Sequence, residues 1–366
     1  MEMKRICMRT AAALLAAVLL LSVDAGAVSA KSAVVMDAQT GRILFEKDAD
    51  RRSLIASTTK IMTALVVCEQ CNVLDRMRIP KEAVGIEGSS MYLKEGEVLT
   101  LQELLYGLML HSGNDAAVAL AIYCGGTVEG FVELMNDKAR LLGLNGTHFA
   151  NPNGLDHPQH FSTARDLAVL AAYAMENPIF AQTVSTKTIT VGNRYLKNHN
   201  KLLWMLDGAD GVKTGFTRAA GRVLVSSASR EGRRLVAVTI RDPDDWQDHQ
   251  ALLEEGFQNY SQKQLVAVGQ QIGFRFVLNG VEAEVPILAA ENFYYPMMKD
   301  ESVTIVLSEP EFSYAPVTAG ADAGFAHICI DGKSIAKVPA VYGHTVELKP
   351  VQKHHFWDGW FGGKEK

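Results

Sequence analysis

The sequence has little of what marks several broad classes of protein. Its 36 basic and 41 acidic residues give a formal net charge of −5, so no surface for nucleic acid is expected. Five cysteines in 366 residues are too few for a disulfide framework. Apolar residues make up 48% and charged residues 21% of the chain, which is typical of globular proteins. The length allows one to three domains.

The first thirty residues have the order of a secretory signal peptide. Three basic residues, Lys4, Arg5 and Arg9, precede an apolar run over residues 11–23, and small residues then lead to Ala30. The run is too short and wrongly flanked for a membrane-spanning helix. We therefore predict export and cleavage after Ala30, with an uncleaved anchor as the less favoured alternative.

The cysteines beyond this segment are Cys68, Cys71, Cys124 and Cys329. Export would permit disulfides. Cys68 and Cys71 lie together on a predicted helix, without the second ligand pair that a zinc site needs. We expect buried free thiols, with a Cys68–Cys124 bridge as the open alternative, and we expect neither a metal nor a cofactor.

A hydroxyl and an amine lie three residues apart in Ser57-Thr58-Thr59-Lys60, just before a helical apolar pattern. Side chains at positions i and i+3 of a helix share a face. A serine needs a base to become a nucleophile, and a partly buried, neutral lysine can be that base. Free N–H groups at the helix start could stabilise an oxyanion. Taken alone, the motif is weak evidence, and a helix N-cap followed by a solvated lysine is the preferred interpretation.

Two further motifs follow in a fixed order. Ser112-Gly113-Asn114 makes a bend between two apolar helical patterns, and Lys213-Thr214-Gly215 enters a strand pattern. The ordered set Ser-x-x-Lys, Ser-x-Asn and Lys-Thr-Gly marks penicillin-binding proteins and serine β-lactamases. The chain resembles low-molecular-weight penicillin-binding proteins of the serine D-Ala-D-Ala carboxypeptidase type, peptidase S11, over roughly residues 31–260.

This resemblance implies a role for each motif residue. Ser57 would be the acyl nucleophile, Lys60 its general base, and Ser112 the proton shuttle to the leaving nitrogen. Backbone N–H groups of Ser57 and Phe216 would form the oxyanion hole, and some relatives have histidine where Phe216 stands. The implied substrate-binding residues are Asn114, Lys213, Thr214, Gly215, Phe216 and Thr217.

The resemblance also implies the substrate, the inhibitors and the location. Peptidoglycan stem peptides ending in D-Ala-D-Ala would be hydrolysed, and β-lactam antibiotics would acylate the serine. The protein would act at the outer face of the cell membrane or in the cell wall. A DD-endopeptidase or transpeptidase remains the main alternative. A β-lactamase is less favoured because Glu129, Glu133 and Glu176 lack the expected Glu-x-x-x-Asn context. An inactive wall-binding protein is disfavoured by the three intact motifs.

Element patterns predict an α+β fold, an antiparallel sheet flanked by helices as in β-lactamases and transpeptidases, followed by a small all-β domain. Strand patterns lie near both ends of residues 31–263, with helical patterns between them. Beyond that point short β-like runs alternate with turns such as Asn279-Gly280. The predicted divisions are a signal peptide (1–30), a serine DD-peptidase domain (31–263), a β-rich domain (264–350) and an aromatic tail (351–366).

Three other segments carry weaker predictions. The turn-rich residues 148–156 are expected to be mainly structural. His157 and His160 are expected to be solvated loop histidines, because no carboxylates accompany them as metal ligands would. In the tail, aromatic residues at positions 356–361 favour a membrane interface, but the glycines and Asp358 limit insertion, so peripheral, reversible membrane contact at most is expected. A disordered or docked tail is the open alternative.

Overall fold

The computed structural model describes residues 28–308 and 310–350. Most of the predicted signal peptide and the whole aromatic tail lie outside these ranges. The chain divides into two compact units, Met1–Gln258 and Asn259–Lys366. The predicted α+β class is confirmed, with an all-β unit at the C-terminal end.

An antiparallel sheet of five strands forms the centre of the N-terminal unit, in the order β2-β1-β9-β8-β7. Two small two-stranded sheets, β3 with β4 and β5 with β6, lie outside it. The strands are β1 (Ser32–Asp37), β2 (Ile43–Lys47), β3 (Arg76–Arg78), β4 (Val98–Thr100), β5 (Thr188–Val191), β6 (Arg194–Lys197), β7 (Ala209–Thr217), β8 (Gly221–Arg230) and β9 (Arg233–Ile240).

Helices cover both faces of this sheet. The larger core lies between one face and the helices that follow β2, and the other face packs on the last helix through Leu252 and Leu253. The helices are α1 (Lys60–Gln70), α2 (Leu101–Leu110), α3 (Asn114–Gly125), α4 (Val128–Leu141), α5 (Ala164–Ala174), α6 (Pro178–Ser185), α7 (Leu202–Met205) and α8 (Asp245–Asn259), with 3-10 turns at Ala56–Thr59 and Lys81–Ala83.

The register of the sheet places a lysine where the core pattern calls for an apolar residue. Val34 pairs with Val238, Val238 with Val225, and Val225 with Lys213 at the edge strand β7. The three valines belong to the core that faces the helices, and Lys213 is only 1% exposed. The sheet therefore buries the Lys213 amine at its edge.

Local signals in the sequence explain several helix boundaries. Thr100 and Glu103 form the reciprocal capping box expected at the start of α2. The predicted nucleophile helix differs, because Ser57 lies in the 3-10 turn and the α-helix begins at Lys60. Helix α6 was not predicted. Its start is marked by Asn177 as N-cap and Pro178 at the first helical position.

The C-terminal unit contains a six-stranded sheet in the order β14-β16-β17-β12-β11-β15 and a two-stranded sheet of β10 with β13. Strand β10 spans the predicted boundary at residue 264. The strands are β10 (Ser261–Val266), β11 (Gln271–Leu278), β12 (Glu284–Ala289), β13 (Phe293–Met297), β14 (Val303–Leu307), β15 (Phe312–Tyr314), β16 (Asp322–Ile330) and β17 (Lys333–Tyr342).

The expectation of free thiols is wrong for two cysteines. Cys71 and Cys124 form a disulfide, with a Cα–Cα distance of 6.5 Å. Cys71 follows the last residue of α1 and Cys124 lies in the last turn of α3, so the bridge joins two helix ends. Cys68 lies one turn earlier, packs against the core and stays free, and burial raises the pKa of its thiol to about 12.

Within the described ranges, no single helix is long and apolar enough to cross a membrane. Two consecutive helices, Asn114–Gly125 and Val128–Leu141, are long and apolar enough only when they are taken together as one segment. The two helices meet at a bend of 84°.

A buried ion pair between β1 and β9 gives a test of the sheet. Asp37 is fully buried, and its Oδ2 accepts a hydrogen bond from Arg233 Nε at 2.7 Å. Asp37→Ala should lower the free energy of unfolding by about 3–5 kcal/mol, because the guanidinium loses its buried counter-ion. The change is measured by urea denaturation followed by circular dichroism.

The matched control is Glu46→Ala, which removes a more exposed partner of Arg165. It should cost less than about 1 kcal/mol, as surface pairs do. An Asp37→Ala protein as stable as the control variant would contradict the importance of the buried pair.

Candidate active site

Ser57 lies in a short turn that side chains and backbone hold in one conformation. The Thr58 hydroxyl donates to the carbonyl of Ile55 at 2.7 Å, and the Thr59 hydroxyl donates to the carbonyl of Ala56 at 2.8 Å. Ala56 has a φ of 48°, which is sparsely populated for residues with a side chain. Such strain persists where the surroundings determine the backbone, and it clusters at functional sites.

Two glycines let other segments approach this turn backbone to backbone. A Cβ on Gly215 of β7 would lie 3.0 Å from the Ile55 carbonyl oxygen and 3.2 Å from the Ser57 nitrogen. Gly154 has a φ of 87°, and a Cβ there would collide with the Ala56 carbonyl. The Gly of Lys-Thr-Gly is therefore needed for close packing of β7 on the serine turn.

Lys60 is completely buried and its amine contacts three oxygens. Nζ lies 3.0 Å from Ser57 Oγ, 2.7 Å from Asn114 Oδ1 and 2.5 Å from the carbonyl oxygen of Asn153. A neutral amine matches this set, because its two N–H groups can donate to the amide oxygens while its lone pair accepts the Ser57 hydroxyl. The geometry thus joins the first and second motifs through one nitrogen.

Burial and a like charge both act on this amine. Burial, followed by the positive charge of Lys213, holds the pKa of Lys60 well below its usual value, and the charge of Asp115 opposes them. Burial alone lowers the pKa of Lys213 to about 7. The Lys213 amine donates to the carbonyl of Thr214 at 2.9 Å. The site therefore favours a neutral Lys60.

The second motif lies between α2 and α3. Ser112 is 5% exposed and has a φ of 61°, so it is a second strained position in the lining of the cleft that also contains Ser57. Asn114 begins α3; its side-chain amide donates to the carbonyl of Glu87 at 2.5 Å, and its backbone N–H donates to the carbonyl of Ser89 at 2.7 Å. These bonds bring the loop around Ser89 to the edge of the site.

A cleft of about 340 Å³ opens above these groups and defines the candidate active site. Lys60, Asn114 and Lys213 lie buried at the site, but outside the cleft lining. Thr217 does not line the cleft either, and its hydroxyl donates to Asp156 at 2.9 Å. The predicted residues that line it are Ser57, Ser112, Thr214, Gly215 and Phe216.

Several lining residues were not predicted: Ser89, His199, Lys201, Arg222, Asp245 and Trp246. Arg222 Nη2 lies 2.7 Å from Asp245 Oδ1, and its guanidinium lies 5.7 Å from the ring of Trp246. Strand pairing sets Arg222 opposite Phe216. The pairing of β7 with β8 therefore brings an arginine to the cleft, and the spacing of the sequence motifs does not predict it.

The interpretation of residues 148–160 needs correction. His160 is 1% exposed rather than solvated; its Nε2 lies 2.7 Å from Thr59 Oγ1, and its Nδ1 accepts the backbone N–H of Ala150. Burial, with positive neighbours, lowers the pKa of His160 to about 4. A neutral His160 protonated on Nε2 satisfies both bonds. The segment is structural, but it also supplies the Asn153 carbonyl to Lys60.

Among the described residues, no glutamate lines the cleft to activate a deacylating water in the β-lactamase manner. Glu129, Glu133 and Glu176 are all exposed, and none of them lines the cleft. In the part of the chain that the structure describes, Asp245 is the one carboxylate in the lining, and it is paired with Arg222.

Comparison with known sequence families assigns both units. Residues 20–244 match the family described as D-alanyl-D-alanine carboxypeptidase, and residues 260–348 match the C-terminal domain of penicillin-binding protein 5. The D-alanyl-D-alanine carboxypeptidase DacF of Bacillus subtilis is 32% identical, over 85% of this chain and 84% of that protein. The D-alanyl-D-alanine carboxypeptidase DacC of Escherichia coli is 32% identical, over 93% of this chain and 92% of that protein.

Solved structures give the same result. Penicillin-binding protein 5 of Haemophilus influenzae superposes with a TM-score of 0.75 and 31% identity, covering 87% of this chain and 98% of that one. The DD-transpeptidase of Streptomyces K15 superposes with a TM-score of 0.61 and 36% identity. The match covers 63% of this chain and 97% of the transpeptidase. Fold and site together define a penicillin-binding protein. The chain belongs to the D-alanyl-D-alanine carboxypeptidase family, peptidase S11, as its motifs predicted.

The buried contact between Lys60 and Ser57 gives a direct test. Lys60→Arg puts a permanently protonated group beside Ser57. Acylation by labelled penicillin at neutral pH should fall by at least ~10²-fold, a typical general-base contribution. Lys138→Arg, at a surface pair with Glu69, is the matched control and should acylate normally. Acylation of Lys60→Arg at the control rate would refute the need for a neutral amine.

Proposed function

We propose that this protein removes the terminal D-alanine from peptidoglycan stem peptides through an acyl-enzyme on Ser57. The observation that carries the proposal is the buried Lys60 amine, held 3.0 Å from Ser57 Oγ and depressed in pKa by burial and by Lys213. Family membership supports the reaction class. The relatives' names specify D-alanyl-D-alanine as the dipeptide at which they act.

In the first step Ser57 Oγ attacks the carbonyl carbon of the penultimate D-alanine while Lys60 takes the hydroxyl proton. A lysine can do this only when neutral, which burial favours here. The oxygen of the tetrahedral intermediate lies between the backbone N–H groups of Ser57 and Phe216. The closeness of Gly215 to the Ser57 nitrogen supports this placement.

In the second step the amide C–N bond breaks and the departing nitrogen needs a proton. Ser112 lines the cleft together with Ser57 and relays that proton. Lys213 and Thr214 bind the terminal carboxylate, Lys213 electrostatically and Thr214 through its hydroxyl. Asn114 Oδ1 accepts from the Lys60 amine and its Nδ2 donates to the Glu87 carbonyl, so this side chain fixes the lysine.

Water then hydrolyses the acyl-enzyme and restores Ser57. β-Lactams acylate the same serine and act as inhibitors, in keeping with the structural likeness to penicillin-binding proteins. Because peptidoglycan lies outside the cytoplasm, the protein acts there. We further propose that residues 1–30 direct export and that residues 351–366 make peripheral contact with the membrane. Arg222 lines the cleft and adds a further positive group, although Asp245 compensates its charge.

The assignment of Ser57 is tested by covalent labelling. Labelled penicillin should attach to the wild type and not to Ser57→Ala, and peptide mapping should place the label on Ser57. The same pair of proteins is then given a pentapeptide ending in D-Ala-D-Ala. The wild type should release free D-alanine, and Ser57→Ala should release none above background.

The control is Ser185→Ala, a change at an exposed serine at the end of α6. It should label and hydrolyse like the wild type. Label on another residue would overturn the assignment of the nucleophile. Penicillin labelling without release of D-alanine would instead overturn the carboxypeptidase activity.

A further inference from the structure

One edge of the six-stranded sheet in the C-terminal unit carries a row of large apolar side chains. Strands β11 and β15 pair there in parallel, with Phe276 opposite Phe312 and Leu278 opposite Tyr314. Residues two apart along a strand lie on the same side of a sheet, as do residues that pair across it. We call this surface the aromatic face and define it by Phe274, Phe276, Leu278, Phe312 and Tyr314.

The aromatic face is the outer side of this edge. Val277 alternates with the face residues of β11, and it is 4% exposed because it packs in the core on the other side of the sheet. Ser313 alternates with those of β15, and its hydroxyl shares a hydrogen bond of 2.6 Å with that of Tyr342. The five face residues are 41–64% exposed, so no described residue covers them. A contiguous exposed apolar patch of this kind marks a contact surface.

The described part of the chain ends beside this face. Leu348 forms a bridge with Gly280, and the backbone N–H of Lys349 donates to the carbonyl of Asn279 at 2.8 Å. Asn279 directly follows Leu278, a member of the face. The sequence then continues into the aromatic tail, with phenylalanine or tryptophan at positions 356, 357, 360 and 361. The tail therefore starts from the same corner of the sheet as the face.

The tail is long enough to cover the face. An extended chain spans about 3.3–3.6 Å per residue, so the connection from Pro350 to Phe356 reaches up to ~20 Å. On β11 the face runs from Phe274 to Leu278, which is ~13 Å of strand. Phe356 and the aromatic residues after it can therefore lie against any part of the face.

Charge and tethering favour the tail over other occupants. Glu284 pairs with Phe276 across the strands, Glu311 directly precedes Phe312, and both acidic residues are exposed. An acidic border opposes an anionic lipid surface, whereas the tail carries Lys353 ahead of its aromatic residues. A segment on a short connection acts at a millimolar effective concentration, which a second copy of the chain would have to match in solution.

We propose that the aromatic tail docks on the aromatic face of its own C-terminal unit. Docking keeps the four aromatic side chains of the tail away from water and from lipid. Docking and the peripheral membrane contact proposed above therefore compete for the same residues, and release of the tail precedes membrane contact. This inference goes beyond the proposed function and does not depend on the reaction at Ser57.

Chymotrypsin, which cuts after aromatic residues, tests whether the tail is docked. The purified protein with its tail intact is digested in lipid-free buffer, and loss of the tail is followed by intact-mass spectrometry. Cleavage tracks the fraction of molecules in which the segment is open. A synthetic peptide of residues 351–366 gives the unprotected rate. The tail of the wild type should be cut about tenfold more slowly than the peptide, which corresponds to docking in about nine molecules of ten.

Two variants, Phe276→Ser and Tyr314→Ser, each remove one exposed side chain from the face. Each should raise the cleavage rate of the tail about fivefold, because a tenfold weaker docking equilibrium leaves about half of the tails open. The matched control is Tyr294→Ser on β13, which removes a side chain that is 46% exposed on the other sheet. It should keep the wild-type rate, and circular dichroism checks that all three variants are folded.

The other occupants give different results. A wild-type tail cut as fast as the peptide, or a wild-type rate in both face variants, overturns the proposal. Protection that grows with protein concentration assigns the face to a second copy and also overturns it. With vesicles of phosphatidylcholine and phosphatidylglycerol, Phe276→Ser should sediment more strongly than the wild type, because its tail is released. Weaker sedimentation of this variant would show that the face itself binds lipid, which contradicts the docked tail.

Discussion

The burial of two lysine amines near one serine is the constraint on which the rest of the site depends. Lys60 is completely buried at the start of α1, and Lys213 is buried at the edge of the sheet in a row of valines. Two protonated amines in a dry interior repel each other and lose hydration, so the proton on Lys60 is destabilised. Burial and the neighbouring charge thus lower the pKa of an amine that lies 3.0 Å from Ser57 Oγ, as the proposed role of Lys60 as a base requires.

The surrounding fold keeps this arrangement rigid. Gly215 and Gly154 let two segments pack on the serine turn, and Asp115 anchors the loop that contains Met91 and Leu93. The Asp115 carboxylate accepts the backbone N–H groups of Met91 and Leu93, each at 3.0 Å. A catalytic constellation must be held this tightly, because small displacements of reacting groups cost large factors in rate.

The sequence predicted the family, the fold class and the residues that meet at the site, because their motifs are local and ordered. Helical periodicity likewise located the core helices. Other features depend on contacts between distant segments: Asn153 reaches Lys60, His160 supports Thr59, Arg222 is brought to the cleft by strand pairing, and Cys71 rather than Cys68 meets Cys124. Thr217 lies outside the cleft lining, and its hydroxyl donates to Asp156, a loop residue far away in sequence.

The most direct test of the account is the protonation state of Lys60. Nuclear magnetic resonance of protein carrying labelled lysine side chains would follow the Lys60 amine through a pH titration, with the signal assigned by its loss in Lys60→Arg. Lys60 should titrate well below the ordinary lysine value of about 10.4. In Lys213→Met its pKa should rise, because a positive neighbour is removed. A Lys60 that titrates at the ordinary value or above it would contradict the account.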